Sequence, residues 1–234
     1  MTGLARLEQG VELLDAACHD HAELAQSLGQ LAAVNRWLGG RRALLRRLRQ
    51  LAGRLTSMTV VDVGTGSADI PRELVRLART QATQIQVIAL DRHPQTVDIA
   101  RNRCHDFPEI AVGVADACAL PLPSRSVDFA LLSLTLHHLD GTAQCAALRE
   151  LARVSRRALL VGELERSRPA YAGARLLAAT LWRSNRLTRH DGPVSVLRSF
   201  TPAELAALAQ RAGLGGVRVT RHPFFRLVLS ATVA

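Results

Sequence analysis

The chain has 234 residues, 48% of them hydrophobic and 21% charged, with a mean hydropathy of +0.09. That is enough apolar material for one sizeable core, and it excludes a disordered or fibrous protein. The formal net charge is +10, and all 30 basic residues are arginine. No apolar run reaches the roughly 18–20 residues of a membrane span. The N-terminus from Met1 to Glu8 lacks a basic stretch followed by an apolar one. A soluble, cytoplasmic protein without a leader is expected.

Residues 10–50 read as helical. Leu24, Leu28, Leu31, Val34 and Leu38 share one face, and Gly39-Gly40 breaks the pattern. A second helix follows with Leu44, Leu45, Leu48 and Leu51 on its apolar side and Arg42, Arg46 and Arg49 elsewhere. Such a charge run is ordinarily a solvated face. The arginine excess reads first as solubility with a coding bias, because lysine would serve equally well there. Arginine differs where a bidentate or stacked contact is made, so an anionic ligand is the other reading.

From residue 58 short apolar strands alternate with helices. Strands are predicted at 58–63, 85–90, 110–115, 127–133 and 157–163, and helices at 70–79, 94–104 and about 141–154. Continuous apolar strands alternating with helices predict a parallel sheet covered on both faces. Residues 164–198 are long for a connection in a compact domain and read as a lid or binding insertion. Thr201-Pro202-Ala203-Glu204 starts a further helix, closed by Gly213–Gly216. Two strands near 217–222 and 224–233 then form an antiparallel hairpin turning at His222-Pro223.

Cys18, Cys104, Cys118 and Cys145 are scattered, so small buried thiols are expected and no metal. Aromatic residues make up 3%, which weakens any nucleic-acid reading that needs stacking platforms.

The strongest local signal is Val60-Val61-Asp62-Val63-Gly64-Thr65-Gly66-Ser67-Ala68-Asp69. A strand runs into a glycine turn that opens a helix, so backbone N–H groups and the helix N-terminus face a ligand. Asp91 ends the next strand, where a carboxylate accepts bonds from ribose hydroxyls. A dinucleotide is disfavoured, because Asp69 stands where the third glycine of that fingerprint belongs and would repel a pyrophosphate.

Three further segments extend the pattern: Ala115-Asp116-Ala117, Ser126–Ser133 after Leu120-Pro121-Leu122-Pro123, and Leu136-His137-His138-Leu139. With them the chain resembles the class I S-adenosylmethionine-dependent methyltransferases, most nearly the small-molecule branch that includes the ubiquinone and menaquinone biosynthesis enzymes. The likeness covers about 58–165 well and the C-terminal strands weakly.

The resemblance implies an α/β fold with a Rossmann-like, doubly wound seven-stranded sheet, mostly parallel with an antiparallel C-terminal strand. Residues 1–55 would be a helical cap on the substrate side, and 56–234 the core with its lid at 164–198. It implies S-adenosyl-L-methionine as cofactor and S-adenosyl-L-homocysteine as product. Asp62, Gly64, Thr65 and Gly66 would surround the methionine half. Asp91 would hold the ribose, with Arg92 beside the adenine. Asp116 would accept from the adenine amino group, Ala117 would offer a backbone N–H, and Ser133 would border the sulfonium. The third glycine of the usual GxGxG turn is Ala68 here.

His137 and His138 follow the fourth strand, beside the expected place of the methyl group. An imidazole there can take a phenolic proton during attack; the pair can equally start a helix or pack as polar residues. Asn35 and Trp37 on the N-terminal helices, with His190 and Arg198 in the insertion, are weaker candidates for the acceptor. His190-Asp191 reads more readily as a turn. The expected function is methyl transfer to a small aromatic or acidic acceptor, with oxygen favoured over carbon. Methylation of RNA or DNA is disfavoured, since Ser133-Leu134-Thr135-Leu136 stands where base-amine methyltransferases carry an Asn/Asp-Pro-Pro-aromatic motif. A non-catalytic module that kept only the fold is the remaining reading.

Overall fold

Strands without a polar break are covered on both faces, and the helix that follows each one does the covering. The computed structural model describes residues 4–8, 10–16 and 18–233; Met1–Gly3, on which part of the N-terminal reading rests, lie outside the described residues. Helices α1 (His21–Trp37) and α2 (Gly40–Ala52) precede β1 (Ser57–Val63), α3 (Asp69–Thr80), β2 (Gln84–Asp91), α4 (Pro94–Arg103) and β3 (Ile110–Val114). Then come β4 (Val127–Ser133), α5 (Gly141–Val154), β5 (Ser155–Leu164), α6 (Arg168–Ala179), α7 (Arg186–Arg198), α8 (Pro202–Arg211), β6 (Arg218–His222) and β7 (Arg226–Thr232).

The strands form one seven-stranded sheet in the order β3-β2-β1-β4-β5-β7-β6. The first five are parallel, with Val60 of β1 opposite both Val87 of β2 and Phe129 of β4. Strand β7 runs antiparallel between β5 and β6, so the predicted closing hairpin is present. The order reverses between β1 and β4, and a crevice outside the carboxyl ends of these strands is where open α/β sheets bind ligands.

Two apolar layers hold the sheet. On one face Leu148 and Leu151 of α5 and Leu205 of α8 pack with Leu159 and Leu229. On the other, Leu44 and Leu48 of α2 and Leu74 of α3 pack with Val60, Val87 and Leu160. Helix starts follow the expected chemistry: Asp140 caps α5, and Thr201 with Glu204 forms a reciprocal capping box on α8.

Two expectations change. The helix predicted from residue 10 begins at His21 instead; before it lies an extended segment with one 3-10 turn at Leu13–Asp15. That backbone is held by a tertiary partner, since both Leu13 N–H and Leu14 N–H donate to the Asp191 carboxylate, at 2.8 and 2.9 Å. The insertion 164–198 is a pair of helices, α6 and α7. His190-Asp191 therefore sits inside α7 rather than in a turn; Asn185 caps that helix by accepting from Thr188 N–H. Helix α2 lies within the sheet's packed layer, while α1 packs on α7.

Candidate active site

Gly64 and Gly66, at φ of 66° and 53°, let the chain leave β1 and turn tightly enough to expose its N–H groups. A side chain at Gly64 would run into Thr135, so glycine is required there twice over. Ala68 adopts the same left-handed conformation, at φ 55°, and is fully buried. The turn is thus kept without its third glycine.

Asp91 ties this loop to β2: its carboxylate accepts from Gly66 N–H at 3.0 Å and from His93 N–H at 3.1 Å. Thr65 hydroxyl donates to Asp62 Oδ2 at 2.7 Å, while Asp62 Oδ1 is buried without a hydrogen-bond partner. Burial pushes the Asp62 carboxyl up to about 7; the charges of Asp69 and Asp91 add to this, and the Thr65 bond opposes it. Burial also raises Asp69, against the pull of Arg41. Ser67 Oγ and Asp69 Oδ2 are likewise buried without hydrogen-bond partners among the described residues, Arg41 lying 3.9 Å from the latter. These orphaned oxygens fit a ligand carrying an ammonium group and a positive centre, as S-adenosylmethionine does.

Asp116 Oδ1 accepts from Cys118 N–H at 2.8 Å. Ser133 closes β4 beside Gly162. Arg92 reaches Asp15, at 3.5 Å, and His93. Asp62, Gly64, Thr65, Gly66, Asp91, Arg92, Asp116, Ala117 and Ser133 all line one cavity of about 490 Å³.

His137 and His138 line the same cavity from a 3-10 turn at Leu136–His138. His137 is buried, with Nδ1 2.7 Å from Glu163 Oε2. His138 Nδ1 lies 3.1 Å from Asp15 Oδ1. The rings are 4.5 Å apart, and their Nε2 atoms lie 3.9 and 3.6 Å from the Glu12 carboxylate. Burial disfavours the charged form of His138, but the Asp15 bond and the Glu12 charge outweigh it and raise its pKa. Glu12 is 1% exposed; its Oε2 accepts from Ser195 hydroxyl at 2.7 Å, and its Oε1 has no hydrogen-bond partner.

The four weaker candidates divide. Asn35 is buried and lines the cavity, whereas Trp37 is 76% exposed and, like His190, lies outside its lining. Arg198 is also behind the wall. Its guanidinium donates to the carbonyls of Gly10, His137 and His138, and so holds the histidine turn against the N-terminal segment.

Sequence reasoning missed Glu12, Asp15, Glu163, Ser195 and Arg226. Arg226 is the most telling: it lines the cavity, is 3% exposed, and its Nε and Nη1 have no hydrogen-bond partner among the described residues. Burial lowers its pKa to about 10, with Glu163 opposing. An acid ending the apolar run of β5 and an arginine opening that of β7 were the available signals. Leu134, Phe224 and Phe225, also in the wall, have positive φ of 54°, 58° and 58°, backbone strain of the kind that gathers at binding sites.

Among curated proteins, the chain is 28% identical over 216 residues to an uncharacterized 37.1 kDa protein in transposon TN4556 of Streptomyces fradiae. The match covers 87% of this chain and 59% of that one, so the chain spans little more than half the relative's length. Two solved structures share the fold. A SAM-dependent methyltransferase from Aquifex aeolicus aligns with a TM-score of 0.63 and 19% identity, over 93% of this chain and 100% of that one. Human N-acetylserotonin methyltransferase, in complex with SAM, aligns at 0.64 and 18%, over 92% and 57%. Residues 60–158 match the family described as "Methyltransferase domain", a span that runs from the glycine loop through the histidine turn. This stretch of the chain therefore matches a methyltransferase domain, and the whole chain shares its fold with SAM-dependent methyltransferases of known structure.

Proposed function

We propose that the protein methylates a hydroxyl oxygen of a small aromatic acceptor that also carries an acidic group. The observation that carries this reading is the cavity itself. One apolar chamber runs from the glycine loop to two imidazoles and a buried guanidinium whose Nε and Nη1 have no hydrogen-bond partner among the described residues. Leu31, Leu38, Leu177, Trp182 and Phe224 give it walls suited to a ring. Arg226, already desolvated, suits a carboxylate in bidentate contact.

The cofactor, when bound, supplies an electrophilic methyl group on a sulfonium. Asp62 Oδ1 would take its ammonium, Asp91 its ribose, and Asp116 with the Ala117 N–H its adenine; Ser133 would border the methionyl chain. Asn35 and Arg226 would orient the acceptor, and the His137–His138 pair would activate its oxygen. Both imidazoles present Nε2 because Nδ1 is engaged by a carboxylate. Transfer is an in-line displacement, helped mainly by positioning and by a dry chamber.

Calorimetric titration with S-adenosylhomocysteine, with NAD as control, tests the cofactor half. Binding in the micromolar range is expected for the first ligand alone, and Asp91→Ala should weaken it about tenfold or more. A panel of phenols with and without a carboxylate tests the acceptor half, with products analysed for oxygen against carbon methylation. Arg226→Met should raise KM for acidic phenols roughly 10- to 100-fold, the size of a charge-assisted bond, and leave neutral phenols unchanged. Equal turnover of both classes by the two proteins would refute the acidic acceptor.

A further inference from the structure

We infer that Glu12, His137 and His138 hold a divalent first-row transition-metal ion in the cavity wall, with a remaining coordination position for the acceptor's oxygen. The use given to the ion rests on the methyl-transfer reading above; the site itself does not.

Four observations converge on it. First, both imidazoles are oriented as metal ligands are. Each has Nδ1 against a carboxylate, Glu163 for His137 and Asp15 for His138, at 2.7 and 3.1 Å. A carboxylate at one ring nitrogen fixes the tautomer and leaves the other nitrogen's lone pair free, the arrangement found behind most metal-bound histidines.

Second, the free atoms meet. His137 Nε2 is 3.9 Å from Glu12 Oε1 and His138 Nε2 is 3.6 Å from Glu12 Oε2; one ligand atom from each residue can be chosen so that all lie within 4.8 Å of one another. Ligands at about 2.0–2.1 Å around a tetrahedral ion stand roughly 3.4 Å apart. The cluster, at up to 4.8 Å, is wider than that by as much as about 1.4 Å, so side-chain rotations must draw the three ligands together around the ion.

Third, Glu12 Oε1 is an anionic oxygen, buried and without a hydrogen-bond donor. Leaving such a group unmatched is costly in the interior. Arg198 Nε lies 3.6 Å away, but its N–H groups are directed at the carbonyls of Gly10, His137 and His138. Helix α7 holds the carboxylate in place, through Ser195 on Oε2 and through Asp191 on the N–H groups of Leu13 and Leu14.

Fourth, the donor set suits such an ion, in a setting where Glu12, Asp15, Glu163 and Asp191 gather around the pair with the guanidiniums of Arg6, Arg92, Arg198 and Arg226. Two imidazoles and one carboxylate select zinc-like ions over magnesium or calcium, which prefer oxygen throughout.

An acceptor hydroxyl bound to the ion would lose its proton to water on coordination. Its oxygen lone pair would then form the O–CH3 bond as the S–CH3 bond breaks onto sulfur, leaving S-adenosylhomocysteine. The histidines would act on the acceptor through the ion rather than as bases in their own right.

The test uses the full chain, stripped with a chelator and titrated with Zn(II), then with Co(II) for its visible spectrum. One saturable equivalent is expected, with cobalt absorption typical of nitrogen donors. Glu12→Gln should weaken Zn(II) binding about 100-fold or more. Asp15→Asn, which alters the Nδ1 side of His138 and the pairing with Arg92 but none of the three ligand atoms, should weaken it about 10- to 100-fold. Glu12→Gln also removes the orphaned charge, so its metal-free form should melt no lower than the parent while losing the stabilisation by Zn(II). A merely structural ion pair predicts a lower melting point and no dependence on zinc. Circular dichroism checks folding, and Asp15→Asn decides the matter if Glu12→Gln does not fold. Absence of saturable Zn(II) binding, or binding undiminished in both variants, overturns the site. S-adenosylhomocysteine binding without zinc binding refutes this inference and leaves the proposed function standing. Zinc binding without methylation of any phenol does the reverse.

Discussion

Asp62 sits out of water at the end of the central strand, with one oxygen satisfied by Thr65 and the other by nothing. Its carboxyl is raised from 3.8 to about 7, so the folded protein holds this proton more tightly than the unfolded chain does. The associated stability is fully present below pH 3.8 and is lost as pH rises through 7, a change on the order of 4 kcal/mol at most. The ligand-free protein should accordingly show a contribution from this group that falls between about pH 4 and 7. A cationic ligand reverses the preference: at pH 6, S-adenosylmethionine binding should release close to one proton, and above pH 8 almost none. Calorimetry in two buffers of different ionisation enthalpy measures this, and Asp62→Asn should abolish it. This acid was legible because its motif is local, with Asp62 and Thr65 three positions apart. Glu12 and Arg226 were not, because each looks ordinary in its own segment and acquires meaning only from partners far along the chain.

Helix α7 does more for the chamber than line it. Asp191 holds the 3-10 turn at Leu13–Asp15, Ser195 holds Glu12, and Arg198 holds the histidine turn. Replacing Asp191 by Ala leaves two partly buried N–H groups without their acceptor, about 1 kcal/mol each. The loss should be local: hydrogen exchange across 10–16 and in the histidine turn should quicken, while β1 and β4 keep their protection. Equal acceleration throughout the sheet would contradict that picture. The strands of this fold could be read from sequence because each is a continuous apolar run fed by a turn. The segment before α1 could not, since a partner 178 residues away sets its shape. The insertion's length was legible; its two helices were not, with Gly192 and Pro193 breaking the pattern inside α7.

Taken whole, the molecule is a sheet covered on both faces by helices from both ends of the chain. The division into 1–55 and 56–234 that the resemblance suggests, which we retain as a proposal about function, does not divide the core. Leu44 of α2 is fully buried and lies against Gly162 of β5. Leu44→Ala should therefore lower stability by about 2–5 kcal/mol, readable as a shift in a single urea transition. A fragment starting at residue 56 should expose that sheet face and fail to unfold cooperatively. The α/β class, the sheet and its closing hairpin were all readable beforehand, because alternation of strand and helix leaves few topologies.

The clasp between Asp191 and the turn at Leu13 also bears on how the protein is born. A ribosome delivers Glu12 early and Asp191 late, 178 positions after the turn they share. By then β1 to β5 have emerged and can pair, since their contacts lie within the first 164 residues. The nascent chain can thus own a glycine loop and a place for the cofactor well before its reaction chamber has a fourth wall. The chamber closes only after α7 and then β7 with Arg226 have followed, so a chain interrupted before them would own the glycine loop without the walls around it.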